Sequence, residues 1–221
     1  MIISAEQAAR LTARALLDID AVLFKPEEPF TFTSGRRSPI YVDCRRIISF
    51  PRTRSLLMDL AVGRLFQKIG PEAFDVVAGG ETAGIPFAAW IADRLGLPMV
   101  YVRKKPKGFG RNARIEGTFP EGARILLVED LATDGGSKLS FVEALRDAGG
   151  TVAHCFVIFH YGIFPQGIAS LQEAGVQLHA LCTWWDALAE AEARDYLSKE
   201  GTAEVKRFLN DPDGWAAKAQ S

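Results

Sequence analysis

Ile125-Leu126-Leu127-Val128-Glu129-Asp130-Leu131-Ala132-Thr133-Asp134-Gly135-Gly136-Ser137-Lys138 is the stretch on which the reading of this chain turns. Four consecutive aliphatic residues form a strand buried on both faces. Two adjacent acids close it, and a turn rich in Thr and Gly opens a helix. Leu139, Val142, Leu145 and Ala148 lie along one side of that helix, and Gly149-Gly150 ends it. Glycines let the backbone approach a ligand and leave N–H groups pointing inward, and a helix N-terminus carries partial positive charge. The turn therefore suits a phosphate. Thr133 and Ser137 can donate hydroxyl hydrogen bonds to the same phosphate. Glu129 and Asp130, which only accept, suit sugar hydroxyls beside it. A tight turn with a solvated acidic pair is the alternative. The acids, the Thr and the position at the end of a central strand together favour a ligand site.

Outward from this stretch, apolar runs begin at Phe74, Met99, Ile125, Thr151 and Val176, one every 25 or 26 residues. That interval holds one strand and one crossover. Ile85–Leu95, Ser137–Ala148 and Gln166–Ala174 read as crossover helices, which predicts an α/β chain with a central, mostly parallel five-stranded sheet flanked by helices. The crossover from Arg103 to Ala123 differs. It is basic, carries Gly108, Gly110, Gly117 and Gly122, and lacks helical periodicity. A long excursion of this kind is usually functional, and a mobile loop with strand-like ends is expected. Leu56–Ile69 reads as a helix with Leu56, Leu60, Gly63 and Phe66 on its apolar side. Phe30–Ile48 reads as a strand pair or lid, and the tail from Trp185 as two polar helices with Asp186 and Glu190 on a solvated face.

The chain has 221 residues, 48% hydrophobic and 24% charged. This is enough for one domain with a buried core. The expected division is a single unit over 1–221, with a helix and hood over about 1–50. The core sheet follows over about 70–184, the basic loop over 103–117 and terminal helices over 185–221. Ser4 and Gln7 form an S-x-x-Q capping box ahead of Ala8, Leu11, Ala15, Ile19 and Val22 at helical spacing, which is not a signal peptide. No apolar run is long enough to span a membrane. Cys44, Cys155 and Cys182 lack metal-ligand spacing, and buried thiols in a reducing cytoplasm are expected. A net charge of -1 offers no global field for nucleic acid. His154, His160 and His179 read as structural residues of the sheet.

Val128–Ser137 resembles the 5-phosphoribosyl 1-diphosphate (PRPP) signature of type I phosphoribosyltransferases, a strand meeting two acids and a Thr-x-Gly-Gly-Ser turn. Asp134 stands where that family usually has a small or neutral residue. Tyr101–Gly117 carries six cations before its first acid, Glu116. Its Arg103-Lys104-x-x-Lys107 run and closing Glu116-Gly117 resemble the orotate-specific branch of that superfamily. Phe32-Thr33-Ser34-Gly35-Arg36-Arg37-Ser38-Pro39 is similar to the same branch's N-terminal motif, and Gly79–Pro86 to its diphosphate loop. Thr33, Ala83, Phe109 and Tyr161 stand where the branch often has Lys, Lys, His and Arg.

The resemblance implies the type I phosphoribosyltransferase fold with a small N-terminal hood. It also implies transfer of ribose 5-phosphate from PRPP to orotate in pyrimidine biosynthesis. Arg103, Lys104 and Lys107 would bind the diphosphate, Glu129 and Asp130 the ribose, and Thr133, Asp134, Gly135, Gly136 and Ser137 the 5'-phosphate, with Leu131 and Ala132 also among the PRPP-binding residues. Thr133, Ser34, Gly35 and Tyr41 would contact orotate, with Tyr41 offering a flat face. Lys107, Arg103 and Asp130 are the expected catalytic residues. Mg²⁺ would be held by substrate and water rather than by a protein metal site, and a homodimer would share the basic loop between subunits. The alternatives are transfer to another nucleobase and a non-catalytic PRPP-binding regulator on the same fold.

Overall fold

A computed structural model describes residues 3–32, 35, 37–108, 114–133 and 136–218. The chain opens with α1 (Ala5–Asp18), capped as expected: Gln7 N donates to Ser4 Oγ at 3.1 Å and Ser4 N to Gln7 Oε1 at 3.0 Å. Next come β1 (Val22–Phe24), β2 (Phe30–Thr31), β3 (Arg37–Ser38) and β4 (Ile40–Val42). These form two small antiparallel pairs, β1 with β4 and β2 with β3. A 3-10 helix, Cys44–Ser49, leads into α2 (Pro51–Lys68).

The central unit follows as β5 (Val76–Gly80), α3 (Gly84–Leu95), β6 (Met99–Val102), β7 (Ile115–Glu116), β8 (Arg124–Ala132), α4 (Gly136–Asp147), β9 (Thr151–His160), α5 (Pro165–Glu173) and β10 (Gln177–Thr183). The tail is α6 (Trp184–Ala193), α7 (Lys199–Asn210) and α8 (Pro212–Lys218). No described helix is long and apolar enough to cross a membrane.

The sheet runs β10-β9-β8-β5-β6-β7, with every pairing parallel except β7 on β6. It has six strands rather than five. The extra one is two residues long, too short for a hydrophobic pattern to reveal, and forms where the chain returns from the basic excursion to the open edge of β6. Alternate residues of each central strand feed cores on opposite faces. Val77, Leu126 and Val128 join α1, α2, α3 and α6, whereas Val76, Ala78, Ile125 and Leu127 join α4 and α5. Such two-sided burial is why these strands read as continuous apolar runs.

Three expectations need correction. In α2 the buried residues are Leu57, Met58, Leu60, Ala61 and Leu65, while Leu56 and Phe66 are exposed. Apolar residues ring this helix, and the contacts with α1, α3 and β10, not its own periodicity, select the buried face. The tail forms three helices, not two, and α6 buries Trp184, Ala187, Leu188 and Ala191 against the body. Asp186 and Glu190 do not form a solvated face. Asp186 caps the helix by accepting from Thr183 N at 2.8 Å and Oγ1 at 2.6 Å, and Glu190 is buried. Within the sheet, His154 Nδ1 lies 3.0 Å from His179 Nε2. All three cysteines are buried and free.

Candidate active site

The strand order fixes where a ligand can sit. After β5 the chain moves toward β6, and after β8 it moves toward β9, so the two connections diverge and open a crevice at the carboxyl ends of β5 and β8. A cleft of about 560 Å³ occupies this place. Its walls are Arg45 and Ile48 of the 3-10 helix, Glu81, Thr82, Ala83 and Pro86 between β5 and α3, Lys104 after β6, Glu129 and Asp130 of β8, and Phe141 of α4. The Glu81–Thr82 peptide is cis.

Glu129 is the most constrained group. Its side chain lies under the Gly79–Gly84 turn, where a Cβ on Gly80 or on Gly84 would collide with its Oε1. These two glycines are required by close approach rather than by backbone dihedrals. Glu129 Oε1 is buried without a hydrogen-bond partner. Burial pushes the Glu129 carboxyl up to about 8, against the pull of Lys138 and with a further push from Asp130. Asp130 is raised for the same reason, burial, again opposed by Lys138. Burial also lowers His160, with Lys138 adding to the effect. Lys138 itself is buried in the first turn of α4.

The basic excursion is fastened at both ends. Lys104 N donates to Glu81 Oε2 at 2.7 Å. At the other end Arg114 donates from Nε to Arg103 O at 2.9 Å and from Nη1 to Ser140 O at 3.1 Å. Arg103 Nη1 stands 3.3 Å from Glu116 Oε1, and Lys107 Nζ stands 3.9 Å from the same oxygen.

Lys104, Glu129 and Asp130 thus meet in one cleft, while Arg103 and Lys107 are paired with Glu116 beside it. Leu131 and Ala132 finish β8, and Ala132 O accepts from Tyr161 N at 2.9 Å. Thr133 follows, and Gly136 and Ser137 start α4. Asp134, Gly135 and Ser34 lie outside the described residues, as do Thr33 and Phe109. Gly35 has φ +80, which favours glycine. The Tyr41 ring sits 5.5 Å from Phe30 and 6.2 Å from Phe32 in the hood. Among the described residues, neither Gly35 nor Tyr41 lines the cleft.

Arg45, Glu81, Lys138 and Phe141 were missed as site residues. Asp43 caps the 3-10 helix and accepts from Arg45 Nε at 2.7 Å, which sets that guanidinium at the cleft. The Asp43-x-Arg45 spacing was a usable signal for this contact. Nothing local marks Lys138 as buried.

No group of three or more His, Cys, Asp or Glu side chains that could hold a metal ion occurs among the described residues. Glu81, Glu129 and Asp130 nevertheless give the cleft hard oxygen acceptors of the kind Mg²⁺ takes.

Residues 53–163 match the phosphoribosyl transferase domain family. The chain is 63% identical over 210 residues to an orotate phosphoribosyltransferase of Cereibacter sphaeroides strain KD131, covering 95% of this chain and 90% of that one. Among solved structures it is similar to the Aeropyrum pernix orotate phosphoribosyltransferase, with a TM-score of 0.70 and 32% identity, covering 84% of this chain and 99% of that one. It is also similar to the Mycobacterium tuberculosis orotate phosphoribosyltransferase in complex with PRPP. That match has a TM-score of 0.61 and 25% identity, and covers 83% of this chain and 98% of that one.

Proposed function

The chain belongs to the orotate phosphoribosyltransferase family, and from that premise we propose which of its residues carry the reaction. The enzyme is a pentosyltransferase that converts orotate and PRPP to orotidine 5'-monophosphate and diphosphate, a step of pyrimidine biosynthesis. The C1–O bond to diphosphate breaks with its electron pair leaving on the diphosphate, and orotate nitrogen, giving up its proton to diphosphate or solvent, forms the new bond to C1. Positive charge therefore grows on the ribose while negative charge grows on the leaving group. A site for this chemistry needs acceptors under the sugar and cations around the diphosphate.

The observation that carries the assignment is the meeting of Glu129, Asp130 and Lys104 in one cleft at the divergence of β5 and β8. Asp130 and Glu129 hold the ribose hydroxyls. Main-chain groups of residues 133–137 hold the 5'-phosphate at the start of α4, with the Thr133 and Ser137 hydroxyls adding to them. Arg103, Lys104 and Lys107 take the diphosphate, and the first and third of these stabilise it as it departs. Orotate lies between Thr133 and the hood, with Ser34, Gly35 and Tyr41 on its far side. No protein nucleophile is required.

Mg²⁺ would be held mainly by substrate oxygens and water, with the carboxylates of the cleft as further oxygen acceptors, and would supply charge neutralisation for the leaving group. The chain acts as a single domain in the cytoplasm, a setting that fits its free thiols, and as a homodimer in which the basic loops serve neighbouring sites. Product formation from orotate, adenine, hypoxanthine and uracil, each with PRPP and Mg²⁺, tests the assignment. Orotate alone should yield nucleotide and diphosphate. PRPP binding without product from any base would identify a regulator instead.

A further inference from the structure

The two cations assigned to the departing diphosphate already have a partner. Glu116 Oε1 faces both Arg103 Nη1, at 3.3 Å, and Lys107 Nζ, at 3.9 Å. One carboxylate oxygen thus answers two positive side chains. Its place is fixed by the sheet, because Glu116 sits in β7 opposite Tyr101 of β6. The Arg103 backbone is anchored as well, since its N donates to Arg114 O at 2.8 Å, while its Nε is buried without a partner.

The ion pairs are not needed to fasten this edge of the sheet. Val102 and Ile115 pair through the backbone, and Arg114 ties the returning chain to Arg103 O and to Ser140 O of α4. A carboxylate oxygen and a diphosphate oxygen are acceptors of the same kind for a guanidinium or an ammonium group. Both therefore compete for the same donors.

We propose that Glu116 is a built-in competitor for diphosphate, a positioning residue that holds Arg103 and Lys107 in the free enzyme and reclaims them as diphosphate departs. This rests on the assignment of the basic stretch to the diphosphate. The strength of the competition follows from exposure. Arg103 and Glu116 side chains are 31% and 33% exposed and Lys107 is 73% exposed, so solvent weakens both pairs. Competition of this kind changes affinity roughly two- to fivefold. Such a competitor is strong enough to hasten release and too weak to block binding.

The test is Glu116→Gln in the full chain, with diphosphate binding in the presence of Mg²⁺ measured by calorimetry and by product inhibition. Diphosphate should bind roughly two- to fivefold more tightly, with the gain shrinking as salt is raised and the KM for orotate unchanged. A residue that only supported the fold would give weaker binding or none of the salt dependence. Glu116→Asp, with a shorter carboxylate reaching less far, should give a smaller gain and covers the case in which Glu116→Gln fails to fold. Unchanged or weaker diphosphate binding in a folded Glu116 variant overturns the proposal. Lys107→Ala separates the two assignments. If it weakens diphosphate binding while Glu116→Gln does not strengthen it, only the competitor role is lost. If neither substitution changes diphosphate binding, the assignment of the basic stretch is lost with it.

Discussion

At its start β8 presents Arg124 to Asp75, and at its finish it presents Glu129 and Asp130 to the cleft; the two ends treat charge in opposite ways. Arg124 donates to Asp75 from its backbone N at 2.8 Å, from Nε at 2.9 Å and from Nη2 at 2.7 Å. The side-chain hydrogen bonds from Arg124, followed by the backbone one, pull the Asp75 carboxyl down to about 2. Five residues further along the strand, Glu129 has an oxygen with no partner and is pushed up to about 8 by burial. One end satisfies its carboxylate with the protein's own donors. The other leaves an oxygen of Glu129 unsatisfied, as a site must if a substrate hydroxyl is to supply the missing hydrogen bond.

The contrast is broken most directly at Asp130. Asp130→Asn keeps the shape of the side chain and removes its charge, so kcat should fall by about 100-fold or more while the thermal midpoint stays close to that of the parent. Near-parental rates in a folded Asp130→Asn enzyme would take the residue out of its role.

A smaller effect sharpens the contrast through pH. The folded state holds the Glu129 proton up to about 8, whereas the unfolded chain gives it up near 4.5. Between these values the folded state binds more protons, so this group's contribution to stability declines as pH climbs through the window. Glu129→Gln removes the titration. Urea midpoints at pH 5.5 and 8.5 should differ less in that variant than in the parent, and an equal difference would mean that Glu129 is not the group responsible. The smallest effect belongs to the far end. Arg124→Ala should leave kcat and both KM values unchanged and lower the thermal midpoint slightly, less so at high salt. A changed kcat would show that the two ends of the strand are not independent.

The legible parts of the fold were those written in contiguous residues. The strand at Val76, the start of β8 from Ile125 and the second half of β9 are buried on both faces, so each leaves an unbroken apolar run. Ser4 and Gln7 mark a helix start through a purely local exchange of hydrogen bonds. The acid pair at the end of β8 was visible because strand, acids and turn follow one another directly. What stayed hidden depends on distant neighbours. Glu190 and Lys138 are charged residues in amphipathic helices, and only the surfaces packed against those helices bury them. Leu57 and Leu65 displace Leu56 and Phe66 from the core for the same reason. Arg45 reaches the cleft from a 3-10 helix whose approach to β8 no local pattern encodes.

The pairing of β7 with β6 has a consequence for how this enzyme can vary. Tyr101 lies opposite Glu116 and Val102 opposite Ile115, so the basic excursion leaves and rejoins the sheet at neighbouring positions. Its two roots are clamped side by side however many residues run between them. Closing a flexible segment costs only about 0.6 kcal/mol more for each doubling of its length. Residues can therefore be added to or removed from this excursion without re-registering a single strand, and its reach becomes a quantity that can be tuned apart from the stability of the sheet.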